Sequence, residues 1–173
     1  MGPDSTESGG GRRGGAALAP PDFEEEDTVE KTVIDLAAEK GRGIAALAGS
    51  NVPAVFSDAV RIQLGDCALV YLSGKLGVDG QGQMGRTIRE QTRQILDNMK
   101  AIMTREGGTI NDIVRVRVYV TQIDAQSLRD VHDVRSEYWS PGQYPASTLV
   151  RVDQLVRDGA LIEIDADAVI ARR

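Results

Sequence analysis

The 173-residue sequence contains one cysteine, Cys67, and one histidine, His132. A lone cysteine excludes an intrachain disulfide, and these two residues are too few for a metal site built from Cys and His. Aromatic residues make up only 4%, so the core must be aliphatic. No apolar run approaches the roughly 18 residues of a membrane-spanning helix, and the first residues lack the pattern of a secretory signal. The sequence therefore predicts a cytoplasmic protein that does not enter a membrane.

The negative charge is concentrated near the N-terminus. The formal net charge is −6, and residues 1–31 contain eight of the 26 acidic residues but only three of the 20 basic ones. The rest of the chain therefore has 18 acids and 17 bases, without a run of Lys and Arg. Because nucleic-acid binding needs a concentrated basic face, the sequence predicts no nucleic-acid partner.

Turn residues, charge and periodicity divide the chain into three regions. Residues 1–27 combine glycine and proline with an acidic block at 24–27, and we expect them to be disordered. Such a tail either keeps the protein in solution or recruits a protein partner. Residues 28–50 fit a helix and a strand equally well, whereas residues 51–173 have the patterns of one folded domain.

The domain alternates strand and helix patterns. Strands are predicted at 60–64, 68–74, 112–119, 145–152 and 161–170, and helices at 87–105 and 125–139. The first two strands form a hairpin, because Gly65 and Asp66 between them are turn residues. This order predicts an α+β domain in which two helices cover one face of a mixed sheet.

One predicted strand shows how the two faces differ. Val114, Val116, Val118 and Val120 alternate with Arg115 and other polar residues, so the four valines are predicted to share the buried face. The charged face must then be covered by water or by another subunit.

Several segments together resemble the Rid family, also called YjgF/YER057c/UK114. The matching segments are Val70–Gly74, Glu90–Asn98, Asp112–Val120, Pro145–Val150 and Leu161–Ala166. The resemblance implies the chorismate-mutase-like Rid fold, an α+β fold in which two helices cover one face of a mixed six-stranded sheet. It also implies a homotrimer with a central barrel and a cleft between each pair of subunits. It also implies a small-molecule substrate, and hydrolysis of reactive enamines and imines to ketones and ammonia without a cofactor.

Three residues match positions that the family uses in its cleft. Ser73 and Gly74 correspond to a Ser-Gly pair that ends the second strand, and Glu163 corresponds to a glutamate of the last strand. The resemblance therefore makes Glu163 the candidate catalytic residue, which would activate a water for attack on an imine carbon. The Ser-Gly backbone would present N–H groups to a substrate oxygen. The alternative interpretation is a surface acid and an ordinary strand end.

Of four further candidate binding residues, three depart from the family pattern. Phe56 stands where the family has a tyrosine, and His132 stands where it has an asparagine. Ser147 replaces the arginine of a Pro-Ala-Arg-Ser motif that grips the substrate carboxylate. A hydroxyl cannot replace a bidentate guanidinium, although Ser147 and Thr148 can hydrogen-bond a ligand oxygen.

The lost arginine leaves two functional hypotheses. One is an enamine or imine hydrolase with altered substrate choice: either Arg115, Arg117 or Arg151 binds the substrate carboxylate in place of the lost arginine, or the substrate is not an α-imino acid. The other is a trimer that binds a small molecule without deaminating it, or that serves as an accessory protein in a pathway.

Overall fold

The computed structural model describes residues 29–36, 52–53 and 55–171 of the chain. The predicted disordered tail, residues 1–27, lies outside the described residues. Within residues 28–50, where helix and strand are equal predictions, the described part forms a strand over Glu30–Ile34.

Six strands form one mixed sheet in the described part of the chain, which confirms the predicted fold class. They are β1 (Glu30–Ile34), β2 (Ala59–Leu64), β3 (Cys67–Leu76), β4 (Ile113–Val120), β5 (Ala146–Arg151) and β6 (Ile162–Ala171). Their order across the sheet is β1-β2-β3-β6-β4-β5. Only β4 and β5 are parallel among these neighbours, and a helix connects them because parallel neighbours need a crossover.

The two predicted helices are α1 (Ile88–Arg105) and α2 (Ala125–Ser136). A capping box starts α1: the Glu90 N–H donates to Thr87 Oγ1 over 3.1 Å, and the Thr87 N–H donates to the Glu90 carboxylate over 3.2 Å. No helix among the described residues is long and apolar enough to cross a membrane.

The second helix ends earlier than predicted. The sequence pattern extends it to Trp139, but α2 stops at Ser136. Trp139 is buried beyond the helix end, and its Nε1–H donates to the Ile110 carbonyl over 2.9 Å. The large aromatic side chain therefore fills the core from a turn.

The helices bury one face of the sheet in an aliphatic core, as the composition predicts. Alternate residues of β6 lie under α1, whose own buried stripe completes the layer. The buried side chains include Ile162, Ile164, Ala166, Ala168, Ile95, Leu96, Met99, Ile102 and Met103. Burying each of the large aliphatic side chains stabilises the fold by about 1.5–3 kcal/mol.

The prediction that Val114 shares the buried face is wrong. On β4, Ile113 pairs with Ala168 and Arg115 pairs with Asp167, so Val114 is an extra residue in the register. The resulting bulge turns Val114 outward, where it is 48% exposed, and places Ile113 in the core.

The opposite face of the sheet, called the open face below, has no helix over it within the described residues. Glu163, Asp165 and Asp167 alternate along β6 on this face. Five exposed apolar side chains share it: Val33, Leu64, Tyr71, Val150 and Val169. The open face is therefore part charged and part apolar.

Candidate functional site

Glu163 and Gly74 are in direct contact at the end of β3 and the start of β6. A β-carbon added at Gly74 would lie 2.9 Å from the carboxyl carbon of Glu163 and would overlap its Oε1. Only a glycine leaves room for the carboxylate at this point. The structure thus brings together two of the residues that the resemblance selects.

A bulge at Ser73 and Gly74 produces this contact. Leu72 pairs with Ala166 and Lys75 pairs with Ile164, so two residues of β3 lie opposite the single Asp165. Such a bulge bends a strand and redirects its side chains. The Ser-Gly pair at this position in the sequence is the local signal for it.

The two hydrogen-bond donors of Ser73, a residue for which the resemblance implies contact with a substrate oxygen, have partners within the chain. The Ser73 N–H donates to the Asp58 carbonyl over 3.0 Å, and its hydroxyl donates to the Ser57 carbonyl over 2.7 Å. Both donors are therefore engaged within the chain. Through these bonds Ser73 fixes the segment before β2, which contains Phe56, against the end of β3.

The environment of Glu163 favours its protonated form. Burial raises the pKa of the Glu163 carboxyl above its ordinary value, and the negative charge of Asp165 raises it further. Among the described residues the carboxylate has no hydrogen-bond or ion-pair partner. A half-buried carboxylate without a cation partner is suited to accept and return a proton.

Arg117 does not form an ion pair with Glu163, because it is paired with two other carboxylates. Its Nη1 and Nη2 donate to the two oxygens of Asp167 over 2.9 and 2.8 Å. Its Nε lies 2.6 Å from Asp165 Oδ1 in an ion pair without hydrogen-bond alignment. The Tyr119 hydroxyl donates to the other Asp165 oxygen over 3.3 Å. We call Arg117, Asp165 and Asp167 the open-face triad.

Tyr119 is a neighbour of the site that the family pattern did not select. It pairs with Glu163 in the register between β4 and β6. Burial, followed by the charge of Asp165, raises the pKa of the Tyr119 hydroxyl, which therefore stays a hydrogen-bond donor. In the sequence, the alternation of Tyr119 with Arg115 and Arg117 indicates that these side chains share one face of the sheet.

The register separates Ser147 from Glu163. Ser147 pairs with Val116, which is buried under the helices, while Thr148 pairs with Arg117 on the open face. Paired residues on neighbouring strands point to the same side of a sheet. Thr148 therefore shares the face of Glu163, and Ser147 lies on the other face of the edge strand β5, although both are exposed.

Phe56 and His132 lie at exposed positions. Phe56 is 59% exposed in the segment before β2, where it is available as an apolar wall. His132 is on the exposed side of α2, and partial burial, with help from the charge of Arg135, lowers its imidazole pKa. Neither residue has a hydrogen bond or ion pair with Glu163 among the described residues.

The other two candidate arginines differ in their availability. Arg151 Nε donates to the Thr121 carbonyl over 3.3 Å, and its Nη2 is 3.9 Å from Asp153. Arg115 is exposed and has no hydrogen-bond or ion-pair partner within the described residues. Arg115 is therefore the least engaged of the three.

An ion pair beside Gly74 was not anticipated from the sequence. Lys75 Nζ lies 2.5 Å from Asp58 Oδ1, and the lysine side chain is only 11% exposed. The second oxygen of Asp58 accepts the Leu36 N–H over 2.8 Å. Asp58 thereby connects the chain after β1 to the end of β3. In the sequence, the single charged residue of β3, Lys75, is the only indication of this ion pair.

A cavity of about 350 Å³ lies away from these residues. Arg61, Glu106 and Ile170 contribute to its walls, and Ile170 is seven residues from Glu163, or roughly 23 Å along β6. This cavity is therefore separate from the candidate site. The described residues contain no group of three His, Cys, Asp or Glu side chains that could hold a metal ion.

Comparisons with known proteins agree with the fold. The family model described as endoribonuclease L-PSP matches residues 50–170. The 2-iminobutanoate/2-iminopropanoate deaminase of Salmonella typhimurium is 31% identical over 134 residues, covering 73% of this chain and 97% of the relative.

Two solved structures show the same architecture. Rv2704 from Mycobacterium tuberculosis, described as a member of the YjgF/YER057c/UK114 family, has a TM-score of 0.59 at 29% identity, covering 82% of this chain and 100% of its own. E. coli TdcF with bound serine has a TM-score of 0.59 at 26% identity, covering 74% and 98%. The chain belongs to the YjgF/YER057c/UK114, or Rid, family.

Proposed function

We propose that the protein hydrolyses the C=N bond of a reactive imine or enamine to give a carbonyl compound and ammonia. The observation that carries this proposal is the half-buried Glu163 carboxylate, which lies against Gly74 and lacks a cation partner among the described residues. The Salmonella relative, which is named for the deamination of two such imines, supports the same chemistry.

Glu163 supplies the proton transfers of this reaction. The carboxylate takes a proton from a water whose oxygen attacks the imine carbon, and the protonated carboxyl then gives that proton to the nitrogen. The second proton of the water reaches the nitrogen as the C–N bond breaks and the C=O bond forms. Imine and water become carbonyl compound and ammonia, and the carboxylate is restored.

The charges around the site favour an imine without a neighbouring carboxylate. Ser147 provides no guanidinium, and Arg117 is held in the open-face triad. The carboxylates of Glu163 and Asp165 would repel an anionic substrate, whereas a protonated iminium would be attracted. We therefore expect the substrate choice to differ from that of the relatives that are named for 2-imino acids.

Ammonia release from freshly generated imines tests the function. An amino-acid oxidase supplies 2-imino acids, and an amine oxidase supplies imines without a carboxylate. We expect acceleration with the second set, and its loss in Glu163→Gln. Glu137→Gln makes the same change at an exposed carboxylate that is paired with Arg93 on the helices, and it should retain activity. Full activity in Glu163→Gln would remove the proposal.

The second candidate function is binding without turnover, which the exposed Phe56 and Ser147 favour. The serine held by the TdcF structure shows that a relative binds a molecule of amino-acid size. Saturable binding of an amine or ketone without ammonia release from either imine set would support this alternative.

A cytoplasmic homotrimer with clefts between subunits remains our expectation for the assembly. Its support is the open face, where apolar side chains such as Tyr71 and Val169 are exposed next to charged ones. Light scattering should give three times the chain mass of 18.6 kDa.

A protein partner for residues 1–27 is a separate expectation. Deleting these residues should preserve the trimeric state and abolish binding of a protein that recognises the tail.

A further inference from the structure

One buried polar side chain links the two strand ends that form the site. Gln91 in α1 is fully buried and makes three hydrogen bonds. Its Nε2 donates to the carbonyls of Gly85 and Gly159, each over 2.8 Å. Its Oε1 accepts the Leu161 N–H over 2.8 Å. Burying an amide is costly unless it is bonded in this way.

These bonds hold the chain that enters β6. Leu161 immediately precedes β6 and is two residues before Glu163. Gly159 and Leu161 are hydrogen-bonded to opposite ends of the same side-chain amide. Gln91 therefore fixes both the position and the direction of the backbone that leads into β6. The position of Glu163 is thereby fixed as well, because a strand backbone has little conformational freedom over two residues.

Gln91 also supports the chain that leaves β3. Gly77 is three residues after Gly74, and a β-carbon there would come within 2.4 Å of Gln91 Cα. The backbone at Gly77 therefore rests directly on the helix at Gln91. One residue of α1 thus contacts the segment beyond Gly74 and the segment before Glu163.

We propose that Gln91 is a positioning residue for Glu163: by fixing both strand ends, it sets the approach of the Glu163 carboxylate to Gly74. Loosening these bonds would let the strand ends separate and admit water to the carboxylate. The consequence for turnover rests on the proposed function, but the consequence for the carboxyl group does not.

Gln94 provides the matched control. Its Oε1 accepts the Gly85 N–H over 2.9 Å, so it holds the same loop as Gln91 but has no bond to Gly159 or Leu161. Gln91→Met keeps the length of the side chain and removes all three bonds. Gln91→Asn keeps the amide, one methylene shorter, and is the milder variant if Gln91→Met does not fold.

The experiment measures the titration of the Glu163 carboxyl by ¹³C NMR, with Glu163→Gln to assign the signal, together with kcat, KM and Tm. We expect Gln91→Met or Gln91→Asn to move the midpoint of Glu163 down toward that of an exposed glutamate. kcat should fall by up to about 100-fold with KM little changed, as a displacement of about 1 Å can cause. Gln94→Met should leave the midpoint and kcat as they are.

A lower Tm with an unchanged Glu163 midpoint in the Gln91 variants would overturn the proposal, because Gln91 would then only stabilise the fold. The same midpoint shift in Gln94→Met would also overturn it. If the unaltered protein releases no ammonia from any imine, the deaminase proposal fails, and the NMR midpoint still decides the role of Gln91.

Discussion

The carboxylate of Glu163 occupies the space that a side chain at Gly74 would need, because a β-carbon there would lie 2.9 Å from the Glu163 carboxyl carbon. The glycine is thus explained by its neighbour on β6 rather than by a turn. The bulge in β3 brings the backbone close, and the missing side chain lets the carboxylate remain half-buried against it.

Gly74→Ala should therefore displace Glu163 and lower turnover by about 100-fold, since a shift of about 1 Å at a catalytic group has this effect. Gly80→Ala is the control, because nothing lies within 4 Å of an added β-carbon there. Ammonia release and Tm should be measured for both variants. Equal turnover in Gly74→Ala and the unaltered protein would show that the contact has no catalytic role.

The sequence predicts the fold well where periodicity is regular. The stripe of α1 and the alternation along β6 identify the buried residues, because each pattern reflects one solvent-shielded face. It fails at Val114, because a bulge changes the face of a residue without changing the residue type. It also misplaces the end of α2, where burial of Trp139 outweighs the helical pattern.

The candidate site is less accessible to prediction. Glu163 and Gly74 were found through a resemblance, and no periodic pattern indicates that they touch. Gln91 lies on the apolar stripe of α1, and a polar residue there was a signal that the family comparison did not use. Its partners are backbone groups of two loops, which the sequence cannot place.

Glu163→Gln should stabilise the protein at neutral pH. Burial, aided by Asp165, raises the pKa of Glu163, so the native state keeps the proton after the unfolded chain has lost it. The free energy of unfolding then falls as the pH rises between the two pKa values and stays lowered above them. The variant cannot ionise, so its advantage should appear above about pH 4.3, the usual glutamate pKa, and vanish below it.

Thermal unfolding from pH 3 to pH 8, as a series for each variant, checks this stability difference. Glu137→Gln should behave in the opposite way, because the hydrogen bond from Arg93 lowers the pKa of Glu137. That variant should be less stable than the unaltered protein at pH 7, and the difference should disappear as the pH falls. A Glu163→Gln protein that is less stable at pH 7 would contradict the burial of an unpaired carboxylate.

Arg117→Met should destabilise the fold by about 1–3 kcal/mol, since it leaves the partly buried carboxylates of Asp165 and Asp167 without their donor. Arg89→Met is the control: Arg89 is 43% exposed, its partners are at 3.4–3.7 Å, and the loss should stay below about 1 kcal/mol. Urea unfolding at one protein concentration measures both. Equal losses would mean that the open-face triad is no more than a surface ion pair.

Ser147 and Glu163 lie on opposite faces of the sheet within one chain, so a role for position 147 in substrate binding requires the expected cleft between subunits. In that cleft, Ser147→Arg should shift the substrate preference toward 2-imino acids, because a guanidinium can bind a carboxylate through two parallel hydrogen bonds. Ser147 is exposed on the edge strand β5, so the longer side chain can be added without disturbing the core. A new bidentate pair is worth about 1.5–3 kcal/mol, which corresponds to a gain of roughly 10- to 100-fold in kcat/KM for the carboxylate-bearing imine. Ser147→Lys adds the same charge without the planar fork and should gain less. If neither variant changes the ratio of the two imine classes, Ser147 does not face the substrate, and its register position beside Val116, away from Glu163, explains why.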